Sequence, residues 1–195
     1  VVQDRDTILQ DSARVIDALH NPEAGSMIQI ALAPCSPFSV TREIMSDAAA
    51  LAAQNGVRMH THLAETADEN AFCLEKYGCR PLDYLEQVGW VNDNVWLAHG
   101  IHFNEDEIAR LGEAGVGIAH CPGSNMVLAS GLCPGVDLEN AGSPIGIGVD
   151  GSASEDASNL IQEVRQALLI QRLRYGAARV SHTDVLRWAT AGAAA

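Results

Sequence analysis

The sequence predicts an α/β fold, a partial TIM-type (β/α)8 barrel with about five of the eight strands, and three observations carry that prediction. Short apolar runs recur at residues 27–33, 57–63, 95–100, 116–119 and 145–149. Each run is followed by sequence with helical periodicity or a helix-capping pair, as a parallel sheet with helical crossovers requires. Nearly every run ends in a reactive polar residue, namely Cys35, His62, His99, His120 and Asp150. An open doubly wound sheet gathers its ligands at one switch point, whereas a barrel converges all its strand ends on one mouth. The repeated polar ends therefore favour the barrel, and the lack of a G-x-G-x-x-G motif weakens the dinucleotide-binding alternative. A full barrel takes about 250 residues. Residues 1–195 are thus expected to form one domain, the C-terminal part of a barrel whose N-terminal strands are missing.

In chain order, residues 4–19 set Ile8, Val15, Ile16 and Leu19 on one helical face. Residues 27–33 read as a fully buried strand that ends at Pro34-Cys35-Ser36-Pro37. A helix over residues 41–54 stops at Gly56. The strand 57–63 opens into Glu65, Thr66 and Asp68, and Thr66 with Glu69 has capping-box spacing for a helix through Lys76. A short helix over 82–88 leads to the strand ending in His99, after which Asn104 and Glu107 form a second such pair. The fourth run ends in His120-Cys121-Pro122 and the fifth in Asp150-Gly151-Ser152, with a helix over 157–175 beyond it. Ser181 with Asp184 opens a last helix. The chain has no initiator Met and stops inside helix-like sequence, so a fragment of a longer protein is expected.

A formal charge of −13 argues against nucleic acid and anionic membranes, which need clustered Lys and Arg. Five cysteines without a C-x-x-C pair suggest neither a disulfide framework nor a zinc finger, and a reducing cytoplasm fits. No apolar run reaches the roughly 18–20 residues that span a bilayer. A small neutral or cationic substrate is the expected partner. Self-association is left open.

Two imidazoles and a carboxylate, His62, His99 and Asp150, are the mixed nitrogen and oxygen set that zinc or ferrous iron accepts. Such an ion lowers the pKa of a water toward neutrality. Glu65, just beyond the strand that carries His62, is placed to carry a proton to a leaving nitrogen. Taken singly, each of these residues has a plainer reading: a core histidine, a helix-capping glutamate, or a solvated strand end. His60 shares the strand of His62 and is assigned to the barrel interior one layer deeper.

His62-Leu63-Ala64-Glu65, Trp96-Leu97-Ala98-His99, His120-Cys121-Pro122-Gly123-Ser124-Asn125 and Gly148-Val149-Asp150-Gly151 resemble, in this order, motifs of the amidohydrolase superfamily. The branch is the one with cytosine, guanine and 8-oxoguanine deaminases and triazine hydrolases. The resemblance implies one divalent ion, zinc favoured over iron, with His62 and Asp150 as direct ligands. It implies that Glu65 shuttles protons, that His99 hydrogen-bonds the attacking water, and that Asp150 takes a proton from it. It also implies a His-x-His pair at the end of the first strand, and no such pair lies upstream of Met27. The segment 33–39 looks like the 8-oxoguanine deaminase version of its loop, which sets the Cys35 thiol against a heterocyclic substrate, and Asn125 is a second candidate substrate contact. The expected activity is hydrolytic deamination of a purine-like ring, 8-oxoguanine to urate and ammonia. A triazine hydrolase and a non-catalytic fragment are the alternatives.

Overall fold

A computed structural model describes residues 3–194 as an α/β structure with one parallel sheet in the order β1-β2-β3-β4-β5. Helix α1 (Arg5–Leu19) starts at the Asp4 cap, whose carboxylate accepts from Thr7 N. Strand β1 (Ala31–Leu32) leads into α2 (Arg42–Asn55), which is capped by Thr41 and closed by Gly56 in the left-handed conformation. Strand β2 (Arg58–Leu63) is followed by α3 (Ala67–Tyr77) and α4 (Pro81–Gln87). Strand β3 (Val95–His99) precedes α5 (Glu105–Ala114), and β4 (Gly117–His120) precedes the short helices α6 (Pro122–Val127) and α7 (Gly135–Ala141). Strand β5 (Ile145–Ile147) is followed by α8 (Leu160–Tyr175) and α9 (His182–Arg187), which runs on as a π-helical turn at Trp188–Gly192. No described helix is long and apolar enough to cross a membrane.

The two faces of the sheet differ. Met59, Thr61, Leu63, Val95, Leu97, Ile118, Ile145 and Ile147 point to the helices and are buried. Trp90 and Trp188 are fully buried as well, and their indole N–H groups donate to Met45 O and to Glu139 Oε1. The opposite, inner face carries His60, His62, Trp96, Gly117, Ala119 and Gly146, all partly exposed. Trp96, Gly117, Ala119 and Gly146 of this face line a concavity of about 740 Å³, together with Gly192 and Ala193 of the C-terminal turn. That turn presses on β5 so closely that a Cβ on Gly192 would lie 2.1 Å from Ile145 O. Trp96 stacks on His60 at 4.9 Å on the inner face.

Two expectations fail here. Residues 27–30 are not a buried strand: only Ala31 and Leu32 pair with β2, and Met27 is 96% exposed. Part of their polar backbone is bonded instead to the residues just after α1, where Asn21 N donates to Ile28 O and Ile30 N to His20 Nδ1. Apolar content alone did not distinguish this edge segment from a ladder strand. His120 ends β4 on the helix side, 1% exposed and beside Gln171. It does not reach the mouth, and burial lowers its pKa to about 4.

Candidate metal centre

Three strand ends deliver the site. In the ladder between β2 and β3, His62 lies opposite Ala98 and Leu63 opposite His99. Pleat alternation would send His99 outward with Leu97, toward the helices. Instead the backbone at His99 takes φ +71°, and the imidazole turns into the mouth, where it stacks on His62 at 5.4 Å. Asp150 beyond β5 has φ +66°, and Ala64 beyond β2 has φ +54°. Non-glycine residues pay roughly 1–3 kcal/mol for such conformations, and they persist where the surroundings over-determine them.

One ligand atom from each of His62, His99 and Asp150 lies within 4.8 Å of the others. His99 Nε2 is 3.8 Å from Asp150 Oδ2 and 3.7 Å from Glu65 Oε2. Both imidazoles are tethered through the other nitrogen. His62 Nδ1 donates to the Cys35 carbonyl at 2.7 Å, and His99 Nδ1 donates to Asn125 Oδ1 at 2.9 Å. Each Nε2 is then left with its lone pair toward the centre, the orientation in which a histidine binds a metal. Asp150 accepts from the Ser124 hydroxyl at 2.6 Å and from Gly151 N at 2.7 Å. Burial pushes its carboxyl up, but these two hydrogen bonds and the neighbouring histidines outweigh it, and Asp150 stays ionised below the ordinary carboxylate range. Two nitrogens and a carboxylate in this arrangement fit a divalent ion such as zinc or iron.

The loop that carries Glu65 is built differently from the expected capping box. Thr66 caps α3 in position only, without a side-chain hydrogen bond. Glu69 Oε2 reaches past it to accept from Glu65 N at 3.1 Å. Glu69 is 3% exposed, and burial raises its pKa to about 7. The remaining predicted residues divide. Cys35 is exposed at the mouth, with its sulfur 4.0 Å from His62 Nδ1, though its carbonyl is what holds that ring. Asn125, expected at the substrate, is 2% exposed, and its side-chain oxygen is taken by His99. His60 lies one layer below, its Nδ1 3.1 Å from Trp96 O, and burial lowers its pKa. The roles of Ser124, of Glu69 and of the Cys35 carbonyl were not read from the sequence. A main-chain acceptor leaves no residue-type signal, and Ser124 reaches Asp150 only through the fold.

Residues 2–195 match the amidohydrolase family. The chain is 63% identical to the 8-oxoguanine deaminase of Pseudomonas aeruginosa over 193 residues, which is 99% of this chain and 43% of that protein. Among solved structures, it matches the atrazine chlorohydrolase of Arthrobacter aurescens complexed with zinc with a TM-score of 0.94, at 36% identity. That match covers 99% of this chain and 43% of the other. It matches an adenosine deaminase from Xanthomonas campestris with bound zinc with a TM-score of 0.91, at 34% identity, over 97% of this chain and 43% of the other. The chain thus spans less than half the length of these relatives, with a parallel sheet that is part of their barrel. On these matches, over nearly all its residues, the chain belongs to the amidohydrolase family.

Proposed function

We propose that residues 1–195 form part of the barrel of a metal-dependent hydrolytic deaminase acting on a purine-like ring, with 8-oxoguanine as substrate and urate and ammonia as products. The observation that carries the reaction class is the convergence of His62, His99, Asp150 and Glu65 on one point of the mouth. The 63% identity to a protein named for 8-oxoguanine carries the substrate. One divalent ion, zinc in preference to iron, would be held by His62 and Asp150, with further ligands from strands outside residues 1–195. Its chemistry is to activate water at neutral pH and polarise the ring.

The residues then divide the work. A water oxygen attacks the ring carbon that bears the exocyclic amine, a C–O bond forms, and the C–N bond breaks. Asp150, kept ionised by Ser124 and Gly151, accepts a proton from the water. Glu65 takes up the other proton of the water and delivers it to the ring nitrogen, and the proton held on Asp150 then passes through Glu65 to the departing amine, which leaves as ammonia. His99 Nε2, 3.7 and 3.8 Å from the two carboxylates, orients the attacking oxygen between them. The Cys35 thiol at the rim faces the substrate ring. Asn125 acts behind His99.

Triazine hydrolysis is the second reading, favoured by the 0.94 TM-score to a zinc-bound atrazine chlorohydrolase. Both reactions attack a carbon flanked by ring nitrogens. The test is to assay the intact protein for ammonia release from 8-oxoguanine and for amine release from hydroxyatrazine. Turnover of the purine at a kcat/KM at least a hundredfold above that of the triazine is expected. The reverse ratio would establish the triazine reading, and no turnover of either would make the protein a non-catalytic member of its family.

A further inference from the structure

The two imidazoles of the mouth are aimed by different means. His62 is held by a main-chain carbonyl, which no substitution removes and which can only accept. His99 is held by a side chain, and an amide offers either an oxygen or an NH2 group to its neighbour. Which end faces His99 decides where the imidazole proton sits. With Oδ1 toward Nδ1, as in the structure, the proton is on Nδ1 and Nε2 presents a lone pair. With the amide reversed, the proton is forced onto Nε2, and an N–H points at the centre shared with His62 and Asp150.

We propose that Asn125 is a positioning residue that locks His99 in the Nδ1–H tautomer, so that His99 matches His62 and both rings present Nε2 lone pairs to one point. Three observations support it. His99 and Asn125 are 1% and 2% exposed, so water does not compete for their 2.9 Å hydrogen bond. The Asn125 backbone is clamped at both ends, its N donating to Cys121 O at 3.0 Å and its O accepting from Ser130 N at 2.9 Å, so the amide cannot drift away from the ring. The donor atoms of His62, His99 and Asp150 lie within 4.8 Å of one another, and an N–H directed into that space would repel a cation. The left-handed backbone of His99 brings its ring into the mouth, and Asn125 fixes its rotation and tautomer once there. The buried Asn125 Nδ2, which has no partner, is the cost of this choice.

The consequence for an ion and its water rests on the proposed function, whereas the tautomer lock does not. Selective 15N-histidine labelling of the intact protein, with His99 assigned by its loss in His99→Gln, reads the tautomer directly from the one-bond and long-range proton couplings of the ring. Zinc titration with a competing chelator reads affinity in the same samples. His99 is expected as Nδ1–H in the unsubstituted protein and in Asn125→Asp, which keeps the acceptor. In Asn125→Leu the Nδ1–H preference should disappear and zinc affinity should fall by about 10–100-fold. An Nε2–H tautomer in the unsubstituted protein overturns the assignment, and so does Asn125→Leu with tautomer and affinity unchanged. If Asn125→Leu does not fold, the unsubstituted protein and Asn125→Asp still decide, since both must show Nδ1–H. A locked Nδ1–H tautomer in a protein that neither binds zinc nor releases ammonia would refute the proposed function and leave the role of Asn125 standing.

Discussion

Glu65 and Glu155 are both carboxylates near the mouth, yet their surroundings give them opposite fates. Glu65 is partly exposed and faces His99 Nε2 at 3.7 Å, open to substrate. Replacing it by glutamine keeps the size and removes the proton transfer. Glu65→Gln is expected to lower kcat by about 10²–10⁴-fold with zinc content unchanged by elemental analysis; loss of the metal would make Glu65 a ligand instead. Glu155 is 4% exposed and crowds against Glu163, which is fully buried. A Cβ on Gly123 would meet Glu155 Oε2 at 2.2 Å and Glu163 Oε1 at 2.5 Å, so both oxygens crowd one spot. Burial, and then the charge of Glu155, raises the pKa of Glu163. Stability is therefore lost as pH rises through that raised value. Glu155→Gln can still accept from Ala157 N and removes the like charge. It should stabilise the protein by roughly 1 kcal/mol at pH 8 and by less at pH 5, read as melting temperature. An equal effect at both pH values would mean that the charge of Glu155 is not what raises the Glu163 carboxyl.

At the scale of elements, the carboxyl of Glu69 ties the start of α3 to the loop that presents Glu65. Burial lifts its pKa from 4.5 to about 7. Its contribution is fully present below 4.5, where both states are protonated, and is lost as pH rises toward 7, because the unfolded chain ionises first. Glu69→Gln should flatten that part of the stability–pH curve, removing a slope worth roughly 2–3 kcal/mol in total. Urea denaturation at pH 5 and 8 checks it, and an unchanged slope would assign the dependence elsewhere. The same stretch shows what was legible in the sequence. Asn104 with Glu107 and Ser181 with Asp184 form reciprocal capping boxes, because the capping signal is local and nothing nearby competes. Thr66 with Glu69 has the same spacing, but the left-handed turn at Ala64 exposes an earlier backbone N–H, and Glu69 takes that one. The strand cores of β2 to β5 were legible from their apolar runs. The side chosen by His120 was not, since alternation within a four-residue strand depends on where the strand begins. For the site, the structure brings His62, His99 and Asp150 together with Glu65 beside His99, while the acceptors behind them are tertiary features.

At the scale of the molecule, the helix-covered face of the sheet is closed and its inner face is open, with Trp96 and His60 beside a 740 Å³ concavity. Met27 and Ile28 are exposed next to β1, and Leu173 and Ile161 on α8. Open strand edges and apolar surface of this kind promote association. Residues 1–195 expressed alone are therefore expected to self-associate, to hold zinc weakly and to be inactive. Sedimentation, zinc content after dialysis and ammonia release from 8-oxoguanine would be measured on one preparation. A monodisperse monomer that retains one equivalent of zinc, or turns over, would show that these strands suffice. The strand order has a kinetic consequence as well. Every strand pairs only with its neighbours in sequence, so each βα unit meets its partner without waiting for distant chain. The sheet can then be laid down in the direction of synthesis, β1 first and β5 last. Since Asp150 follows β5, its carboxylate joins the two imidazoles only when the final strand docks, so the centre would be the last part of the sheet to close.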